Sequence, residues 1–85
     1  MPDEEIGRIV KFFAKPSVAA IEITSGTIKT GDRLKFTGHT TDFTDEVARI
    51  EIDNQAVEEA KAGDLVGIKV SERVRENDKV YKVVE

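Results

Sequence analysis

The chain contains no cysteine, which excludes disulfide frameworks, thiolate metal sites and thiol nucleophiles. Histidine is nearly as scarce: His39 is the only one, and it sits in a loop-like stretch without the partners that catalysis or metal binding would need. It reads as an exposed loop residue. No apolar run approaches the roughly 20 residues of a membrane helix, so no membrane partner is expected. The opening Met1-Pro2-Asp3-Glu4-Glu5 is acidic and has neither the basic nor the apolar region of a signal peptide, which points to the cytoplasm. There is no Gly-x-x-x-x-Gly-Lys-Ser/Thr loop, so nucleotide hydrolysis is excluded and no cofactor is expected. Positive charge is the minority, 13 Lys+Arg against 17 Asp+Glu for a net charge of -4. Phosphate neutralisation drives non-specific nucleic-acid binding, so any RNA contact of this chain has to be local. Aromatics are few (Phe12, Phe13, Phe36, Phe43 and Tyr81), and a core takes most of them, leaving no base-stacking platform.

What is present fits a small globular domain. Of 85 residues, 39% are apolar and 35% charged, too hydrophobic for disorder. A chain this short buries roughly 60–65% of its unfolded surface, enough for one domain with a small core. Residues 1–5 read as an acidic N-terminal tail.

Ile6 to Lys15 is rich in β-branched and aromatic residues, and its adjacent apolar pairs predict a strand with a bulge or with both faces covered. Pro16 interrupts it. Ser17 to Thr24 alternates cleanly, with Ala19, Ile21 and Ile23 on the core face. Next comes Ser25-Gly26-Thr27-Ile28-Lys29-Thr30-Gly31-Asp32, where Gly26 and Gly31 supply the positive φ of two turn ends and Ile28 plugs the core. Leu34 and Phe36 face inward on a short strand closed by Gly38. From Phe43 to Asp53 the inward parity shifts between Val47 and Ile50, which requires a bulge or sharp bend near Ala48-Arg49. Asn54 to Ala62 is the one place where a helix competes, with Asp53 or Asn54 as N-cap and Gly63 just past its end, but nine residues are few for an isolated helix. Gly63-Asp64 repeats the chemistry of Gly31-Asp32. Val66, Ile68 and Val70 form the next inward set around Gly67, and a strand over 80–84 ends the chain. Before it, Ser71 to Lys79 is charged and turn-like, and its Asn77 tolerates the left-handed conformation.

The order Gly7, Gly26, Gly31-Asp32, Gly38, Ala62-Gly63-Asp64-Leu65-Val66-Gly67 resembles domain two of the translational GTPases, the barrel module of elongation factor Tu and its relatives, over about residues 7–83. The resemblance implies an all-β fold, a small closed or nearly closed antiparallel barrel of about six strands, with Gly26, Gly31, Gly38, Gly63 and Gly67 as structural turns and Asn54 to Ala62 as a compact loop with Val57 tucked inward. It implies a non-enzymatic binding module of the translation apparatus that contacts the tRNA 3′ end, the ribosome (ribosomal RNA) or a translation-related protein. Glu51, flanked by Ile50 and Ile52, falls where the family presents a glutamate to the terminal adenosine. Ala20 and Glu22 replace the family's common threonine and arginine, and Asn77-Asp78 stands where the family usually places another Gly-Asp. The alternative is a protein-interaction or scaffold barrel without RNA binding. Neither reading assigns a catalytic or metal-binding residue. Asp42, Asp45 and Glu46 lack the spacing of a calcium loop. Arg8, Lys11, Lys15, Lys29, Arg33, Lys35 and Lys82 are the residues from which a basic face would be built.

Overall fold

Alternating apolar residues and left-handed turns organise the chain into ten short strands, seen in a computed structural model that describes residues 4–83. These are β1 (Glu4–Phe13), β2 (Val18–Ile23), β3 (Thr27–Lys29), β4 (Arg33–Thr37), β5 (Asp42–Glu46), β6 (Ile50–Ile52), β7 (Gln55–Val57), β8 (Glu59–Lys61), β9 (Leu65–Lys69) and β10 (Lys79–Lys82). There is no helix among the described residues. Eight strands form one sheet in the order β5-β4-β10-β1-β2-β9-β6-β7, and β3 pairs with β8 in a separate ladder. The expectation of all-β architecture holds; the strands number ten where about six were expected, and closure into the expected closed or nearly closed barrel is not confirmed. The sheet has free ends at β5 and β7, and the ladders among the described residues do not close into a ring.

The extra strands come from short-range turn chemistry. Asp53 and Asn54 both take left-handed φ (52° and 64°), the geometry of a two-residue hairpin turn whose twist matches that of the strands it joins. This makes Asn54–Ala62 a hairpin arm and a further strand instead of a loop, although Val57 does pack against the core as expected. The predicted irregularity near Ala48-Arg49 is a bend. Residues 47–49 carry the chain from β5, paired with β4, to β6, paired with β9, and Val47 exchanges backbone hydrogen bonds with Gly31 and Asp32 on the way.

At the N-terminus, Glu4 and Glu5 pair with Lys82 and Tyr81, so the segment expected as a tail over 1–5 is strand from Glu4 onward. The β1–β2 register shifts between Ile9 and Lys11, which confirms the predicted bulge. Its effect is to put Val10 outward beside Lys11 while Ile9 and Phe12 keep the inner parity. Val84, at the end of the predicted last strand, lies outside the described residues.

Inside, Ile6, Ile9, Ala19, Ile21, Ile23, Ile28, Leu34, Phe36, Ile50, Ile68 and Val80 are buried, and Phe36 stacks on Phe43. Ile28 fills the core from within the arc, and Ala60 faces it from β8.

Three turns share one construction: Lys29 to Asp32, Lys61 to Asp64 and Arg75 to Asp78. In each, the aspartate accepts a hydrogen bond on Oδ2 from the backbone N–H three residues earlier, at 2.8, 2.9 and 2.8 Å. The residue before it is left-handed: Gly31 at 93°, Gly63 at 97° and Asn77 at 72°. Asn77 therefore does the work of glycine in the third turn.

Candidate functional site

The outer face of β1, β2, β9 and β6 follows from strand register. Inward residues Ala19, Ile21, Val66, Ile68 and Ile50 leave the alternate positions pointing out. Lys11 pairs with Ala20, Ala20 with Gly67, and Gly67 with Glu51, so these four form one row across four strands. The middle of the row holds only a methyl group and a hydrogen, which makes it a trough. The row on one side is Phe13, Val18 and Lys69, and on the other Arg8, Glu22 and Leu65.

A groove of about 520 Å³ lies over this trough. Phe13, Pro16 and Val18 wall one side and Leu65 the other, with Ala20 and Gly67 between them, and the β6–β7 turn brings Glu51, Asp53 and Asn54 to one end. Its walls are wet: Leu65 is 55% exposed and Phe13 44%. Pro16 is fixed by the turn into β2, where Ser17 adopts φ 57° and donates its Oγ–H to the carbonyl of Val70 at 2.7 Å. Gly67 packs beside Val18, whose Cγ1 would lie 3.3 Å from an added Cβ.

Charge is unevenly placed around the groove. At the β6 end, Glu51 Oε2 lies 3.1 Å from Arg49 Nε, and Asp53 stands next to it on the turn. At the β1 end, Lys11 Nζ sits 5.2 Å from the centre of the Phe13 ring, a cation–π contact. Lys11 also borders a second depression of about 310 Å³ with Phe12, Arg73, Val74, Arg75 and Glu76.

Glu51 points outward as expected, whereas the Ile50 side chain is in the core and Ile52 is half-buried. Of the structural glycines, Gly26, Gly31 and Gly63 take positive φ. Gly38 is needed for space, because a Cβ there would lie 2.0 Å from Asp78 Oδ1. His39 is exposed in its loop. Asp45 is engaged by Ser71, whose N–H and Oγ–H both donate to its carboxylate. Of the seven basic residues, Arg8, Lys29 and Lys82 are in ion pairs, with Glu22, Glu59 and Asp32 respectively. Sequence reasoning missed the groove because its key members, Phe13, Pro16 and Leu65, are far apart in the chain. An apolar Leu65 at an outward position of an otherwise alternating strand was the available signal.

Comparison with known proteins bears on both fold and role. The family described as Elongation factor Tu domain 2 matches residues 17–76. By sequence, the chain is 44% identical over 82 residues to an uncharacterized protease of Methanocaldococcus jannaschii, covering 95% of this chain and 20% of that protein. It is 38% identical over 78 residues to a collagenase of Porphyromonas gingivalis, covering 91% of this chain and 22% of the collagenase. The chain thus spans about a fifth of the length of these relatives. Among solved structures, the C-terminal domain of a Geobacillus thermoleovorans protein assigned to the U32 peptidases superposes with a TM-score of 0.87 at 18% identity, covering 95% of this chain and 93% of that one. GDP-bound aIF5B from Aeropyrum pernix superposes with a TM-score of 0.67 at 19% identity, over 98% of this chain and 14% of that protein. The fold is therefore that of the translation-factor module. The expected function in the translation apparatus is overturned, because the relatives that share sequence are named as proteases.

Proposed function

The chain belongs to the elongation factor Tu domain 2 family, and we propose that it serves a peptidase of the U32 kind as a non-catalytic domain that holds polypeptide. The observation that carries this reading is the exposed apolar groove between Phe13 and Leu65, on a chain whose sequence relatives are named as a protease and a collagenase. Exposed apolar walls above a floor of small residues suit the side chains and close backbone of an extended polypeptide. On this reading the peptidase chemistry is assigned to the rest of such a protein, since the chain spans only about a fifth of the relatives' length. In this chain the carboxylates of Asp32, Asp64 and Asp78 hold turns and that of Asp45 holds Ser71, so they serve structure.

Calorimetric titration with heat-denatured collagen, an unfolded polypeptide, tests the reading. Wild-type chain binds it, and Leu65→Asp, which puts a charge on one groove wall without touching the core, weakens binding. Absence of binding by the wild type, or equal binding by the variant, overturns the proposal.

A further inference from the structure

The trough has opposite charges at its two ends. Lys11 and Glu51 occupy the first and last strands of one row, three strand spacings apart, a Cα separation of about 14 Å. An extended chain rises about 3.3 Å per residue, so about four residues laid along the row reach from one charge to the other. The β6 end carries two carboxylates, Glu51 and Asp53, against the one guanidinium of Arg49. The β1 end carries the ammonium of Lys11, which lies over the Phe13 ring. Between them the floor of Ala20 and Gly67 is uncharged, walled by Phe13 and Leu65.

We infer that this trough takes an extended polypeptide segment of about four residues with unlike charged ends. Its apolar centre lies over Ala20 and Gly67, a basic group reaches toward Glu51 and Asp53, and a carboxylate reaches toward Lys11. The inference rests on the reading of the groove as a polypeptide site and adds to it the charge pattern of the occupant. Cation and anion sites at the two ends favour a segment that supplies the complementary pair and disfavour one that places like charges at either end. Because the groove is open to water, each end contributes a modest preference, about two- to five-fold in affinity, and salt weakens it.

The test compares four blocked tetrapeptides by amide chemical-shift titration of the isotopically labelled 85-residue chain. All have leucine and alanine in the centre; the ends are lysine and glutamate, lysine twice, glutamate twice, or glutamine twice. The expected result is that the lysine–glutamate peptide shifts Ala20 and Gly67 at the lowest concentration, about two- to five-fold below either like-charged peptide. Lys11→Glu makes both ends acidic, and the peptide with two lysines then becomes the tightest. Equal binding of all four peptides to wild type and variant overturns the charge pattern and leaves the polypeptide groove standing. No shift of Ala20 or Gly67 with any peptide overturns the groove as well.

Discussion

Replacing Gly7 by alanine separates two reasons for having glycine in this fold. Gly7 lies in β1 against Ile23, with Glu22 alongside. An added Cβ would lie 2.4 Å from the backbone oxygen of Glu22, 3.2 Å from its carbonyl carbon and 3.2 Å from Ile21 Cγ2. None of these is the end of a flexible side chain, so the β1–β2 ladder itself must open. Overpacking costs about 1–3 kcal/mol and a displaced backbone hydrogen bond about 1 kcal/mol, while alanine recovers about 0.4–1 kcal/mol by restricting the unfolded chain. The net is a loss of about 2–3 kcal/mol. Gly31 poses the opposite case: nothing lies within 4 Å of its added Cβ, but its φ is 93°. Gly31→Ala therefore suffers only left-handed strain, about 1 kcal/mol. With a urea m-value of about 1 kcal/mol/M for so small a domain, the midpoint falls by about 2–3 M for Gly7→Ala and by about 1 M for Gly31→Ala. Urea melts followed by circular dichroism measure both. A Gly7→Ala midpoint equal to wild type, or above that of Gly31→Ala, refutes the close-approach argument.

Other variants probe the turns and the surface. Asp78 is buried and accepts from Thr41 Oγ1 and from the Arg75 N–H, so Asp78→Ala strands two donors and lowers stability by about 2–4 kcal/mol in the same urea assay. Arg8→Ala removes an ion pair whose side chains are 49% and 46% exposed, and its midpoint stays within the equivalent of about 1 kcal/mol of wild type. Asn77→Gly keeps the left-handed turn at 72° and leaves the melt within about 0.5 kcal/mol of wild type, whereas Asn77→Val lowers it by about 1–2 kcal/mol.

Much of the fold was legible because period-two alternation is a local signal. Ala19, Ile21 and Ile23, then Leu34 and Phe36, then Val66, Ile68 and Val70 were placed inward by alternation alone, and all are buried. The left-handed positions Gly26, Gly31, Gly63 and Asn77 were legible for a similar reason, since few residues tolerate that geometry. Strand pairing was not. Whether β5 closes onto a partner depends on where residues 47–49 carry the chain, and the sequence shows only that the parity breaks there. Val74 is buried although it sits between Arg73 and Arg75 in a stretch without strand, where no alternation marks it as inward. Asp53-Asn54 is ambiguous in sequence because the same residues favour both helix caps and left-handed hairpin turns. The outward glutamate was found correctly, but the ligand attached to it came from family resemblance. A fold shared at 19% identity with a translation factor does not carry function when relatives at 38–44% identity are named as proteases.

The most direct measurement is a pair of amide titrations on one labelled sample of the chain, with an unfolded polypeptide and with a CCA-ended oligonucleotide. The account predicts that the polypeptide shifts Ala20, Leu65 and Gly67, while the oligonucleotide leaves residues 50–53 in place. Shifts at residues 50–53 with the oligonucleotide, and none in the groove with the polypeptide, would contradict it.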